Sequence, residues 1–227
     1  MKPVASNNII KSKKRVADHG EVFTSEREVN AMLDLVKQET ERIDSRFLEP
    51  ACGDGNFLSE ILRRKLKIVK SKYAKSQLEF ERFATTAISS IYGVDILKDN
   101  VEACKDRLYG IFNDMYESLY KNKCKEECRK SVHFILDRNI LWGDALSLRT
   151  VDADKIPIVF SEWSFARGSQ IKRRDFLFAE LAQFNQNTPG LFDIAEESTS
   201  GEMIFSPRSV KEYPLINFLE LSYENTN

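Results

Sequence analysis

The 227-residue sequence has no excess of either charge, because 34 basic residues face 35 acidic ones and the net charge is -1. A protein that binds nucleic acid through its overall charge is therefore excluded, and any polyanion site has to be local. Residues 1–15 are polar and basic rather than signal-like, no internal repeat is apparent, and no apolar run approaches the roughly 18 residues of a membrane span. We expect a soluble, cytoplasmic protein with reduced cysteines and no membrane partner.

Metal-ligating residues are also sparse. Cys124 and Cys128 stand one helical turn apart and His133 follows them. A fourth ligand at the spacing of a structural zinc site is missing, so we expect no metal.

The sequence predicts one α/β domain with appended segments. Residues 1–18 are predicted to be a flexible basic arm, 19–184 the main domain, and 185–227 a loop-rich C-terminal segment that completes the sheet. Strands and helices alternate as in a parallel, doubly wound sheet. The strands are predicted at 46–49, 91–95, 139–142 and 156–160, the helices at 25–36, 56–66, 77–90 and from 99 past 116. A hairpin of 161–165 and 170–178 competes with a helix over 174–184.

One segment is especially informative: Phe47-Leu48-Glu49-Pro50-Ala51-Cys52-Gly53-Asp54-Gly55-Asn56-Phe57-Leu58 combines a buried strand, a tight turn and a helix start. Glycines let the backbone approach a ligand, and amides at a helix start can face polar or anionic groups. The segment closely resembles the donor-binding motif of the adenine-specific (N6) DNA methyltransferases, the modification subunits of restriction-modification systems. The resemblance implies a Rossmann-like, class I S-adenosylmethionine-dependent methyltransferase fold, with a mostly parallel twisted sheet and helices on both faces.

Three further segments resemble this family in the expected order. Residues 19–25 resemble an element that covers the cofactor, with Ser25 where the family has Pro; residues 91–96 and 139–146 resemble the second and third strands. In the family, the acid at Asp95 accepts from the ribose hydroxyls and the acid at Asp144 from the adenine amino group. The cofactor site implied by the resemblance consists of Phe23, Thr24, Glu49, Pro50, Ala51, Cys52, Gly53, Gly55, Asn56, Phe57, Asp95, Ile96, Asp144 and Ala145.

A nicotinamide site is disfavoured on the spacing alone. Gly53 and Asp95 are farther apart than the roughly twenty residues of that fingerprint, and its third glycine is missing. A carboxylate at a strand end can nevertheless accept from two hydroxyl donors.

The resemblance stops after about two-thirds of the chain. Adenine methyltransferases carry an Asn/Asp/Ser-Pro-Pro-Tyr/Phe tetrapeptide after the fourth strand, which binds the amino group and stacks on the flipped base. This sequence has no Pro-Pro pair, and Ser161, Glu162 and Trp163 stand at the matching position. Either Ser161 or Glu162 accepts from the amino group while Trp163 or Phe165 stacks on the base, or these are hairpin and core residues and the catalytic site is absent.

Two basic segments are candidates for phosphate contacts. Lys172, Arg173 and Arg174 would either position a DNA backbone or blunt a strand edge. The basic stretch from Arg63 to Lys75 is predicted to be a solvated helix face. The chain lacks the long region that reads sequence in such enzymes, so a separate specificity or restriction subunit is expected.

The sequence thus predicts an S-adenosylmethionine-dependent DNA methyltransferase-like protein, with adenine N6 methylation linked to restriction-modification. The alternatives are a catalytically inactive partner subunit that binds cofactor or DNA, and a methyltransferase for RNA or protein.

Overall fold

The computed structural model describes residues 12–19, 21–22, 24–184 and 208–226. Its helices are α1 Lys13–His19, α2 Glu26–Asp34, α3 Lys37–Thr40, α4 Asn56–Tyr73, α5 Gln77–Ser89, α6 Lys98–Tyr120, α7 Glu126–Asn139 and α8 Phe178–Phe184. Its strands are β1 Phe47–Glu49, β2 Ile91–Asp95, β3 Ile140–Asp144, β4 Arg149–Thr150, β5 Val159–Phe165, β6 Gln170–Leu177, β7 Lys211–Glu212 and β8 Ile216–Asn217. Short 3-10 segments cover Lys121–Lys123 and Phe218–Thr226.

The first predicted helix begins as expected and ends early. Ser25 caps α2 in a capping box, in which its Oγ accepts from the Glu28 amide and the Glu28 carboxylate accepts from the Ser25 amide. The helix ends at Asp34, and the short helix α3 follows it after a turn.

The first three strands form a parallel sheet in the order β1-β2-β3, and β4 adds to β3 in the antiparallel direction. Glu49 lies beside Gly93, and Asp95 lies beside Trp142. Because parallel strands point the same way, their carboxyl ends meet at one edge of the sheet. The α/β class and these three strands are confirmed, and the arrangement is consistent with a Rossmann-like fold.

The two faces of this sheet are covered differently. Ile91 and Ile140 belong to a core cluster with α2, α4, α5, α6 and α7, whereas Tyr92 and Val94 pack with Phe160 and the start of α8. Successive strand residues point to opposite faces, so these are two separate cores. On the α4 side, Leu58, Leu62, Leu66 and Val69 are fully buried at helical spacing.

The predicted fourth parallel strand is wrong. Residues 159–165 form β5, which pairs antiparallel with β6 over its whole length and packs on the second face of the parallel sheet. The backbone of an apolar run can form hydrogen bonds with a parallel or an antiparallel neighbouring strand. The run itself therefore did not show which strand it pairs with. Among the described residues, β1 pairs only with β2.

The hairpin of β5 and β6 is confirmed. Of the competing helix predicted over 174–184, only the last part is helical, as α8. β7 and β8 both pair with β6. The described part of the C-terminal segment therefore completes the antiparallel sheet rather than the parallel one. Residues 185–207, predicted to be loop, lie outside the described residues.

The basic arm at the N-terminus is helical in its second half, where α1 spans Lys13–His19. None of the helices in the described ranges is both long enough and apolar enough to cross a membrane.

Candidate functional site

The turn after β1 is fastened to the end of β2 by backbone hydrogen bonds. The Cys52 amide donates to the Val94 carbonyl at 2.9 Å, and the Gly53 amide donates to Asp95 Oδ2 at 2.9 Å. The turn closes with a 2.9 Å bond from the Gly55 amide to the Cys52 carbonyl. The turn therefore continues the pairing of β1 with β2 and leads directly into α4.

Gly55 is required by both conformation and space. Its φ is 89°, in the left-handed region, and a Cβ at this position would lie 2.7 Å from Cys104 Sγ. Cys52 packs under the same turn, against Gly93 of β2. Its contact with Cys104 and its burial raise the pKa of the Cys52 thiol, which favours a packing role for Cys52.

Asp95 is buried at the end of β2 and accepts three hydrogen bonds. Oδ2 accepts from the Gly53 amide, and Oδ1 accepts from the Leu97 amide at 2.8 Å and from Asn100 Nδ2 at 3.2 Å. A carboxylate offers about four lone-pair positions. No further described residue donates to Asp95, so Oδ2 can accept one more donor, such as a hydroxyl group.

Asp144, at the end of β3, is partly exposed. Its Oδ1 accepts from the Leu146 amide at 2.9 Å, and this bond keeps the pKa of Asp144 below its ordinary value. Between the two acids, the Ile96 side chain is 45% exposed, and the Ile96 carbonyl accepts from Trp142 Nε1 at 3.0 Å. The edge therefore offers an ionised acceptor beside an apolar surface, while Ala145 packs into the second core.

Glu49 ends β1, just before the turn. It is partly buried, and this burial raises the pKa of its carboxyl group, while the Ala51 amide donates to Oε1 at 3.4 Å. Pro50 and Ala51 are exposed on the turn. A half-buried carboxylate here favours a cationic ligand.

The start of α4 is held by a group that the sequence did not reveal. Arg107 of α6 donates to Asn56 Oδ1 at 2.6 Å and to Asp54 Oδ2 at 2.9 Å. Asn56 Nδ2 donates to the Thr24 carbonyl at 3.2 Å, so the upstream element does lie against the turn. Phe57 packs against the helical core. Phe23 lies outside the described residues.

A second missed group joins the N-terminal helix to the end of β2. Arg15 donates to Glu21 at 2.6 Å and to Asp99 at 2.6 Å, and Asn100 Nδ2 donates to Glu21 at 2.7 Å as well as to Asp95. Asn100 lies in the first turn of α6 and follows Asp95 closely in the sequence. This closeness is the only sequence signal of the group. The network places α1 next to the candidate site.

Ser161, Glu162 and Trp163 do not form an open catalytic group. Ser161 Oγ donates to Asp175 at 2.7 Å, Glu162 pairs with Arg46 at 2.5 Å, and Trp163 Nε1 donates to Asn139 at 2.9 Å. All three side chains are buried. The geometry therefore favours the alternative in which they are hairpin and core residues.

Each cation of the basic triplet of β6 pairs with a carboxylate, which favours the alternative of a charged strand edge over a phosphate site. Lys172 pairs with Glu212 at 2.6 Å, Arg173 with Asp175 at 2.8 Å, and Arg174 with Glu162 at 2.5 Å. Arg173 is also buried.

In the part of the chain that the structure describes, no group of three or more His, Cys, Asp or Glu side chains could hold a metal ion. His133 stacks on Tyr109 with ring centroids 3.8 Å apart.

The candidate site is thus the carboxyl edge of β1, β2 and β3, with the turn of Glu49 to Gly55 and the carboxylates Asp95 and Asp144. It offers backbone amides at a helix start, a hydroxyl acceptor, an ionised acceptor and an exposed apolar side chain. In comparisons with protein-family models, with curated proteins and with solved structures, no match to this chain was found.

Proposed function

We propose that this chain binds S-adenosylmethionine at the candidate site and acts as a DNA methyltransferase-like protein of the adenine N6 type. The observation that carries the proposal is the anchoring of the Gly53 amide on Asp95, whose neighbour on the next strand, Trp142, is followed two residues later by Asp144. Ligands of doubly wound sheets bind outside the carboxyl ends of the strands, where these groups lie.

Each residue of the site suits one part of this ligand. The first amides of α4 suit the methionine carboxylate, and Glu49 suits the cationic end. Asp95 has one position left for a ribose hydroxyl, Asp144 accepts from the adenine amino group, and Ile96 packs against the ring. The bound cofactor would supply the methyl group, and the chain's own residues bind and orient it.

A specific observation favours one form of this function, a cofactor-binding subunit that works with a partner chain. Ser161, Glu162 and Trp163 are buried and hydrogen-bonded, so reaching a flipped base would break the contacts between β5 and its neighbours. We place the base-binding residues in the partner, with DNA as the shared substrate.

The first experiment measures S-adenosylmethionine binding by calorimetry. Asp144→Ala removes a hydrogen bond to a charged acceptor, which is worth about 1.5 to 3 kcal/mol, and is expected to weaken binding about tenfold or more. Asp114→Ala, an exposed acid of α6 that forms no ion pair with a described residue, is the matched control. Absence of binding by the unmodified protein, or equal affinity of both variants, refutes the proposal.

The second experiment follows labelled methyl transfer to unmethylated DNA, with nucleoside digestion. Binding without transfer supports the cofactor-binding subunit. Label in N6-methyladenine with the chain alone shows a complete enzyme and refutes the need for a partner, whereas label only in RNA or protein refutes the DNA assignment.

A further inference from the structure

The solvent face of α4 carries a row of basic side chains at helical spacing. Arg63, Lys67 and Lys70 follow one another by four and three residues, and all three are exposed. Lys72, in the last turn of α4, faces the opposite side of the helix, and Lys75 follows its end. We call Arg63, Lys67 and Lys70 the α4 basic row.

No member of the α4 basic row forms an ion pair with a described residue. On the same helix, by contrast, Arg64 pairs with Asp34 at 2.9 Å and with Glu60 at 3.0 Å. On β6, every cation of the triplet also has a carboxylate partner. Basic side chains without a carboxylate partner among the described residues therefore lie on α4, whereas those of the triplet are paired.

Charge repulsion within the row opposes the helix that carries it. Like charges three or four residues apart on a helix repel one another, as Arg63, Lys67 and Lys70 do. Only Lys70 stands in the last turn, where a cation favours the helix dipole. A polyanion on this face would remove the repulsion.

A groove of about 1300 Å³ lies on another side of α4. Lys72 and Arg82 line it together with Glu39, Glu41 and Asp44, so cations and carboxylates are mixed there. The groove is therefore no part of the α4 basic row.

The dimensions match a nucleic-acid backbone. At 1.5 Å per residue, Arg63 and Lys70 are about 10 Å apart along the helix axis. Double-stranded DNA carries one negative charge per roughly 1.7 Å of its axis, so about six phosphates lie within that length. Lys70 is 14 positions beyond Asn56, which places it about 21 Å from the candidate cofactor site.

We propose that the α4 basic row is a contact surface for the phosphate backbone of double-stranded DNA. Lysine and arginine heads on a helix face position a duplex and carry no base readout, so the contact is independent of DNA sequence. The surface stands apart from the candidate cofactor site, and the proposal does not depend on cofactor binding.

The test measures binding of a fluorescent 20-base-pair duplex by anisotropy, without cofactor, over a series of salt concentrations. The variant Arg63→Gln/Lys67→Gln/Lys70→Gln replaces exposed side chains by good helix formers, so the fold is retained, which circular dichroism checks. We expect its affinity to fall at least tenfold at about 0.1 M salt. Each phosphate contact contributes about 0.9 to the slope of log K against log salt, so losing three contacts is expected to reduce the slope by about 2 to 3.

The matched control is Lys121→Gln/Lys123→Gln/Lys130→Gln, which removes the same charge from exposed positions elsewhere. It is expected to keep the affinity and the salt slope of the unmodified protein. Failure of the unmodified protein to bind, or equal losses in the two triple variants, overturns the proposal. Tighter binding to duplex RNA or to phosphatidylserine vesicles than to DNA overturns the assignment of the partner. A protein that binds the duplex but not S-adenosylmethionine upholds this surface and refutes only the proposed function.

Discussion

Replacing Gly55 by alanine is expected to destabilise the protein by about 3 kcal/mol. The left-handed backbone at φ 89° costs a residue with a side chain about 1 to 2 kcal/mol. The new Cβ would also lie 2.7 Å from Cys104 Sγ, inside a close-packed region, and such overpacking costs about 1 to 3 kcal/mol.

Thermal unfolding gives the readout. For a chain of this size each kcal/mol corresponds to about 2 to 4 °C, so Gly55→Ala is expected to lower Tm by about 6 to 12 °C. Gly110→Ala is the control, because Gly110 lies inside α6 with nothing within 4 Å of an added Cβ. Removing a glycine from a helix interior is expected to raise stability by about 0.5 to 1 kcal/mol.

The double variant Gly55→Ala/Cys104→Ala separates the two causes. Shortening Cys104 relieves the contact but leaves the backbone strain, so the two substitutions together should cost less than the sum of their separate costs, by about 1 kcal/mol. A Gly55→Ala protein as stable as the unmodified one would refute the geometry of the turn. Strict additivity in the cycle would refute the contact with Cys104.

Two further predictions concern ionisable groups. Lys65 is buried, its Nζ donates to the carbonyls of Ile43 and Ser45, and burial lowers its pKa to about 7. Above pH 7 the unfolded chain therefore binds more protons than the folded one, so the free energy of unfolding rises with pH. Between pH 7 and 8.5, urea unfolding should show this free energy rising by up to about 1.4 kcal/mol per pH unit more in the unmodified protein than in Lys65→Met. Equal pH dependence of the two proteins would contradict this. Burial raises the pKa of Glu49, so affinity for cationic S-adenosylmethionine should fall up to about tenfold as pH drops through that raised pKa. Calorimetry of Glu49→Gln should give a flat profile there, and a parallel fall in both proteins would exclude Glu49.

Local features of the sequence were enough to predict the candidate site. The turn from Glu49 to Gly55 and the strand ending at Asp95 are continuous segments whose residue types determine their own backbone. The resemblance of residues 91–96 to the second strand of the family located β2, and the turn residues 166–168 allowed the hairpin of β5 and β6 to be predicted.

Features that depend on distant partners could not be predicted in the same way. The carboxylates that neutralise Lys172 and Arg174 are Glu212 and Glu162, which come close only through strand pairing. Residues 156–160 are apolar whether their strand is parallel or antiparallel. The buried Lys65 did leave a signal, because it shares the helical face of Leu62 and Val69, but the surrounding basic residues obscured it.

The bonds from the Cys52 and Gly53 amides to the end of β2 also have a dynamic consequence. Because these amides are paired within the protein itself, the turn is ordered before any ligand arrives, and binding costs little conformational entropy. Both amides should therefore exchange slowly with deuterated solvent in the free protein, at rates set by opening of the sheet and not by motion of a surface loop.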